Sequence, residues 1–165
     1  AYPYLLHKAL KERFPFAVIN VIVTAIGGET SEKGAARFAE VLCHRPDIII
    51  IDYGLNDRCI GLTVAEQAWS KMIKGALVQN IKLLLCTPTP DITVRNSHES
   101  ELNQHSRQIG QLAQNYGVGL VDSFKVLCDT AVGADISDLL SYTNHPNRWG
   151  HELVAKETLK WFPVA

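Results

Sequence analysis

Three short segments of the sequence carry groups that can stabilise a negative charge on a bound ligand or transfer a proton. A glycine pair stands at Gly27–Gly28, Asn56 lies within Gly54–Asp57, and His145 is followed directly by Pro146. Glycine N–H groups can face a ligand without a Cβ atom in the way, and an asparagine amide can donate a hydrogen bond to a developing oxyanion. A histidine beside a proline has a constrained backbone and can act as a general base.

Each segment also has an ordinary structural explanation. The glycine pair suits a tight turn, Asn56 and Asp57 suit an Asx-turn, and a single histidine is more often a surface or core residue. The sequence has no GxGxxG pattern, so the glycine pair is not a dinucleotide fingerprint. His145 and His151 fit no zinc spacing, and the four cysteines form no CxxC pair. We therefore expect no metal, no cofactor and reduced thiols, although an even number of cysteines also permits a disulfide.

The composition narrows the classes of protein and partner. The 165 residues are 47% hydrophobic, and 16 Lys and Arg nearly balance 17 Asp and Glu, for a net charge of -1. That length suits one globular domain, and the absence of a basic run argues against a nucleic-acid partner. No apolar stretch is long enough for a membrane span, and no secretory signal is recognisable. We expect a cytoplasmic protein, unless an N-terminal signal has been lost; the oligomeric state is not readable.

Apolar runs with the period of strands alternate with helical patterns along the whole sequence. The predicted strands are 18–24, 47–53, 81–86 and 119–121. The predicted helices are 3–14, 31–42, 63–79, 96–116 and a last one from 147 to before Pro163, while 123–140 is ambiguous. Strict alternation predicts an α/β fold: a single domain over 1–165, a three-layer α/β/α sandwich around a parallel flavodoxin-like sheet.

The candidate residues fall in loops that follow predicted strands or precede the last helix. In parallel α/β sheets the loops at the carboxyl ends of the strands form the functional crevice. We therefore expect Gly28, Asn56 and His145 to meet around one point. The polar loop 88–96, which contains Arg95, is expected to form one wall of this crevice.

In this order and on these loops, the three segments resemble the SGNH (GDSL-type) hydrolases, a family of esterases and lipases. The resemblance implies that the N–H of Gly28 and the side-chain amide of Asn56 form an oxyanion hole, and that His145 is the general base. It also implies a small-molecule ester as substrate, and with the polar wall at 88–96 it favours a small or polar acyl substrate such as an acetylated sugar. Asn103 and the segment Leu120–Asp122 match less specific features of the family.

The nucleophile of the family has no counterpart here. That nucleophile is a serine in a Gly-Asp-Ser block at the end of the first strand, in the middle of the sheet, and no such block precedes the first predicted helix. We expect that an N-terminal segment carrying this strand and serine has been lost. Ser31, Ser70 and Ser141 do not lie on a nucleophile elbow, and none is expected to replace it.

The acid of the catalytic triad is also not where the family places it. The position three residues before His145 is Tyr142 instead of aspartate. Asp138 is the candidate acid, Asp135 lies nearby, and a backbone carbonyl could instead hold the histidine tautomer and leave a Ser–His dyad.

Two other functions remain compatible with the sequence. One is a non-catalytic module of the same fold that binds a carbohydrate or another small ligand. The other is an unrelated flavodoxin-like domain that binds phosphate through Gly27–Gly28 and leaves His145 without a role.

Overall fold

The computed structural model describes residues 1–92, 100–131 and 135–164 and falls into two compact units. Unit 1 comprises the described residues of 1–23, 89–96 and 123–165, and unit 2 those of 24–88 and 97–122. The α-helices are α1 Tyr2–Arg13, α2 Ser31–Ala36, α3 Phe38–Cys43, α4 Gly61–Leu77, α5 Glu101–Tyr116, α6 Ser123–Thr130 and α7 Arg148–Leu159. The strands are β1 Ile48–Ile51, β2 Lys82–Cys86 and β3 Gly119–Val121, and 3-10 helices span Asn56–Cys59 and Ile136–Leu139.

Unit 2 contains a parallel sheet in the order β1-β2-β3. The β1–β2 ladder begins with the pair Ile48 and Lys82, and the β2–β3 ladder ends with the pair Cys86 and Val121. The central strand is buried from residue 83 to 86, as expected of a parallel strand covered on both faces. The predicted α/β class and parallel sheet are therefore confirmed.

The core of unit 2 lies between the sheet and the long helices α4 and α5. Trp69 and Ile73 on α4 are completely buried, as is Leu85 of β2, and Ile109 of α5 is 1% exposed. The apolar positions of α4 recur at three- and four-residue spacing, which places them on one face of the helix. This packing holds the carboxyl ends of β1 and β2, and the loops that follow them, in fixed positions.

The strand predicted at 18–24 is wrong. The described residues contain no strand there, and the side chains of Val18 and Val23 are 92% and 66% exposed. β-Branched residues favour extended backbone, but a strand forms only where neighbouring N–H and C=O groups complete a ladder. Within the described part of the chain, the ladders of the sheet join β1 to β2 and β2 to β3.

Two predicted helix boundaries also differ from the structure. The helix expected over 31–42 is two short helices that meet at Arg37, whose φ of -102° and ψ of 11° leave the helical region. Helix α4 begins at Gly61, before the predicted capping box at Thr63, because the preceding 3-10 turn leads straight into it. Gly61 has a φ of 72°, a conformation that favours glycine.

Other helix ends agree with the sequence patterns. Gly117 ends α5 in the left-handed conformation, with φ 63° and ψ 36°. The Asn147 side chain begins α7 by accepting a hydrogen bond from the Gly150 N–H at 3.0 Å. The cap predicted at 96–99 lies outside the described residues, and within them the Ser100 side chain caps α5.

Unit 1 is built from α1, α6 and α7, and the ambiguous segment 123–140 contains α6 and the second 3-10 helix. The Arg13 guanidinium donates to the carbonyls of Leu159 and Phe162 at 2.8 and 2.9 Å. It thereby provides a donor for the last carbonyl of α7, which has no partner within the helix, and for a carbonyl just beyond it. A Cβ atom on Gly150 would lie 2.6 Å from the Leu139 carbonyl, so the close approach of these segments requires glycine.

The cysteines are free thiols, as expected. No helix among the described residues has the length and apolar character needed to span a membrane.

Candidate active site

The loop between residue 24 and α2 presents a backbone N–H at Gly28. Gly28 is exposed and has a φ of 75°, and no atom lies within 4 Å of where a Cβ would stand. The Glu29 N–H donates to the Ile26 carbonyl at 3.3 Å and closes a turn over the two glycines. Among the residues that the structure describes, no acceptor takes the Gly28 N–H, so this group can donate to a ligand.

Asn56 lies five residues beyond the end of β1, as the first residue of the 3-10 helix, and its side chain reaches the glycine loop. Its N–H donates to the Tyr53 carbonyl at 3.1 Å, and its side-chain Nδ2 donates to the Glu29 carbonyl at 3.0 Å. That bond uses one hydrogen of the carboxamide and orients the other. The structure thus brings together two of the three predicted site residues, Gly28 and Asn56, through the residue that follows Gly28.

Asp57 fastens the same loop from inside the core. Its side chain is fully buried, with Oδ1 2.7 Å from the Ser31 backbone N and Oδ2 2.8 Å from Nε1 of Trp69. The carboxylate therefore joins the start of α2 to the middle of α4. From the sequence, Asp57 is expected only to form an Asx-turn, because neither of its two partners is near it in the sequence.

A second buried carboxylate, that of Glu29, was not predicted at all. Arg37 donates to it through Nε at 2.8 Å and through Nη2 at 2.6 Å, and the Tyr53 hydroxyl donates at 3.1 Å. The hydrogen bond from Arg37 holds the pKa of Glu29 below its ordinary value, despite burial, and the carboxylate raises the pKa of Arg37. Burial and the Glu29 charge raise the pKa of Tyr53.

His145 belongs to unit 1, where it is exposed in a loop of fixed shape. Its carbonyl accepts from the Ser141 N–H at 2.8 Å, and Leu140 and Pro146 form an antiparallel bridge beside it. The candidate acid Asp138 is also exposed in unit 1, and its backbone carbonyl accepts from Asn147 at 2.7 Å. Among the described residues, no hydrogen bond joins the Asp138 carboxylate to the His145 ring. Both roles stay predictions.

The remaining sequence candidates have structural surroundings of their own. Ser31 is fully buried, and Ser141 donates its hydroxyl to the His145 carbonyl at 3.2 Å. Asn103 lies in the first turn of α5, where its N–H is capped by Ser100. Arg95 and the greater part of its loop lie outside the described residues.

Acidic and metal-ligating side chains show no cation site: within the ranges that the structure describes, no group of three His, Cys, Asp or Glu side chains could hold a metal ion. At the ends of β2 and β3 the Thr87 hydroxyl donates to the Asp122 carboxylate at 3.0 Å. This contact ties together the two strand ends.

The buried His105 and the half-buried His151 make the stability of the protein depend on pH. His105 on α5 is 3% exposed, and burial lowers its pKa below 6.5, although the nearby Asp57 charge acts in the opposite direction. Burial lowers the pKa of His151 as well. The unfolded chain therefore binds protons at higher pH than the native protein does, and the stabilisation present above pH 6.5 is lost as the pH falls.

We expect the free energy of unfolding to decrease between pH 7 and pH 5, and to decrease less in His105→Gln, as measured by urea denaturation at about three pH values. The variant His44→Gln, at an exposed histidine, serves as the control and should follow the wild-type slope. If the free energy of unfolding fell with pH equally in wild type and His105→Gln, His105 would not be a source of the pH dependence.

The fold and the glycine loop define a class before any comparison is made: an α/β protein with a parallel sheet, an exposed glycine loop and an asparagine amide bonded to that loop. The chain belongs to the GDSL-like lipase/acylhydrolase family, whose model matches residues 1–153. The resemblance to SGNH (GDSL-type) hydrolases seen in the sequence is thereby confirmed. No curated protein matches the sequence.

Solved structures with the same fold include several esterases. The acetylxylan esterase Axe2 from Geobacillus stearothermophilus has a TM-score of 0.90 at 20% identity, covering 99% of this chain and 81% of that one. The acetyl xylan esterase AlAXEase has a TM-score of 0.83 at 24% identity, covering 98% and 90%. LAE5, an α/β hydrolase from the metagenome of Lake Arreo, Spain, has a TM-score of 0.82 at 21% identity, covering 96% and 79%.

Proposed function

We propose that this chain supplies the oxyanion donors and the general base of an esterase that cleaves small carboxylic esters, with acetylated carbohydrates as the favoured substrate class. The observation that carries the proposal is the hydrogen bond from the Asn56 carboxamide to the Glu29 carbonyl, at 3.0 Å. It ties a side-chain donor to the loop that presents the exposed Gly28 N–H, and such a pair of donors suits the oxyanion of acyl transfer. Membership of a family of lipases and acylhydrolases supports the same chemistry.

In the proposed mechanism, a serine hydroxyl attacks the ester carbonyl while His145 takes its proton. The carbonyl oxygen becomes negative and accepts hydrogen bonds from the Gly28 N–H and the Asn56 amide. Collapse of this intermediate breaks the C–O bond, and His145 returns the proton to the departing alcohol. Water then cleaves the acyl-serine by the same steps, with His145 again as the base.

The proposed nucleophile is a serine outside residues 1–165. Within them, Ser31 is buried, Ser70 lies in the middle of α4, and Ser141 donates to the His145 carbonyl. In Axe2, the catalytic mutants replace a serine, a histidine and an aspartate three residues before that histidine. Tyr142 stands at the corresponding distance here, so Asp138 or a backbone carbonyl is proposed to hold the His145 tautomer.

The carbohydrate preference is supported by the structural neighbours and by the composition of one loop. Two of the structures with the same fold are acetylxylan esterases. The predicted wall at 88–96 is rich in polar side chains, which suits a sugar better than a lipid chain. We therefore expect the enzyme to hydrolyse acetylated xylo-oligosaccharides faster than long-chain p-nitrophenyl esters.

Labelling with a fluorophosphonate tests the proposal, because this probe reacts only with an activated serine. In the product of the intact natural gene, we expect one labelled serine, identified by mass spectrometry outside residues 1–165, and no labelling in His145→Ala. A heat-denatured sample is the control for non-specific reaction. A label on Ser31, Ser70 or Ser141 would contradict the proposed nucleophile.

The second candidate is a binding module without turnover. It is favoured by the position of Tyr142, three residues before His145, where the family places its acid. Absence of labelling, combined with binding of acetylated xylo-oligosaccharides in calorimetry, would replace the esterase by this module.

A further inference from the structure

We infer that Arg37 is a positioning residue for the oxyanion donors and acts on them through Glu29. The inference rests on the proposed function, since it assigns a device to the same site. The device consists of Glu29, Arg37 and Tyr53, and is called here the Glu29 clamp. None of the three side chains is itself proposed to touch the substrate.

The Glu29 backbone bonds to one proposed oxyanion donor, Asn56, and closes the turn that contains the other, Gly28. Its N–H donates to the Ile26 carbonyl at 3.3 Å and closes the turn that presents Gly28. Its carbonyl accepts from Nδ2 of Asn56 at 3.0 Å and fixes the plane of that amide. A rotation of the Glu29 peptide would therefore displace the backbone donor and the side-chain donor together.

Arg37 opposes that rotation by donating hydrogen bonds to both carboxylate oxygens of Glu29. Its Nε donates to Oε1 at 2.8 Å and its Nη2 donates to Oε2 at 2.6 Å, the forked geometry that only a guanidinium provides. The same Nη2 donates to the Thr24 carbonyl at 2.8 Å. Arg37 thus fastens the start of the glycine loop and the residue that follows the glycines.

Tyr53 connects the clamp to the sheet. It follows β1 closely, and its hydroxyl donates to Glu29 at 3.1 Å. A Cβ atom on Gly34 of α2 would lie 2.4 Å from the Tyr53 ring, so the ring occupies space that only glycine leaves open. The position of the clamp is therefore set by β1 and α2 together.

Burial explains why the pair controls geometry more than it adds stability. The side chains of Arg37 and Glu29 are 16% and 7% exposed. Removing two charges from water cancels much of their attraction, so such a pair contributes little net stability but tolerates few alternative arrangements. The helix break at Arg37 fits this role, because it frees the residue from regular helix geometry beside the loop.

The test compares Arg37→Gln and Arg37→Lys with wild type in the serine-containing enzyme, using p-nitrophenyl acetate. We expect kcat to fall roughly 10–100-fold in Arg37→Gln, with KM nearly unchanged, since a misplaced donor weakens only the transition state. Arg37→Lys should recover part of the loss. Affinity for a trifluoromethyl ketone, which forms an oxyanion in the site, should fall in parallel with kcat/KM.

The matched control is Lys160→Gln, which removes a cation from the exposed pair with Glu157 and should leave kcat unchanged. Tyr53→Phe removes only one hydroxyl from the clamp and is expected to lower kcat a few-fold. It keeps the inference testable if Arg37→Gln does not fold.

Amide hydrogen exchange gives a readout that does not depend on catalysis. In the serine-containing enzyme, Arg37→Gln should speed exchange of the Glu29 N–H, while the Ser31 N–H, held by Asp57, should exchange as in wild type. Unchanged exchange at Glu29, or equal acceleration at both amides, would overturn the clamp. An inactive wild-type enzyme with the expected exchange pattern would instead overturn the proposed function alone.

Discussion

Asn56→Ala is expected to lower kcat at least a hundredfold on p-nitrophenyl acetate, measured in the serine-containing enzyme. Loss of one oxyanion donor typically costs about 2.7–4 kcal/mol of transition-state stabilisation. The structure adds a second reason, because the same carboxamide also fixes the Glu29 carbonyl at 3.0 Å, so the variant loses a donor and an anchor of the loop. KM should change much less than kcat.

Asn115→Ala is the matched control for this experiment. Asn115 lies exposed on α5, where its side chain accepts a hydrogen bond from Gln111 at 2.8 Å, and kcat should stay at the wild-type value. His145→Ala should reduce kcat at least as far as Asn56→Ala. An unchanged kcat in Asn56→Ala would remove this residue from the mechanism.

Asp57→Ala should have the largest effect on stability. The substitution leaves two buried donors without their acceptor, the Ser31 N–H and Nε1 of Trp69. Each unsatisfied buried group costs about 1–3 kcal/mol, so the free energy of unfolding should fall by about 2–6 kcal/mol. Urea denaturation of residues 1–165 measures this difference.

Two further variants test the Asp57 prediction. Asp129→Ala removes a carboxylate that is 60% exposed and should change the free energy of unfolding by less than about 1 kcal/mol. Trp69→Phe removes one of the two donors while keeping most of the ring, and should lie between the control and Asp57→Ala. A loss in Asp57→Ala no larger than in Asp129→Ala would show that the carboxylate does not fasten the loop.

The elements that the sequence predicted well are those whose signal is local. Apolar runs followed by helical patterns were enough for β1, β2, β3 and the α/β class. The caps at Gly117 and Asn147 depend on one residue and its neighbours, and both were confirmed. The placement of Asn56 in the loop region that follows β1 comes from the same local pattern.

The features that escaped prediction depend on contacts between distant residues. The run Val18–Val23 has strong β propensity, yet a strand also needs a partner backbone, and propensity does not reveal whether one is present. Arg37 and Glu29 lie eight residues apart, and Tyr53 is 24 residues from Glu29. No spacing rule links such a trio, and an arginine inside a helical pattern looks like an ordinary surface residue.

Unpaired main-chain groups on β1 have a practical consequence for work with this chain. Four consecutive isoleucines form the strand, and within the described residues it is bonded on one side only, to β2. The strand itself contains no charged residue and no proline, which in many proteins keep an edge strand from pairing with another chain. Concentrated solutions of these 165 residues should therefore be prone to aggregation, and the exchange and denaturation measurements are best made dilute.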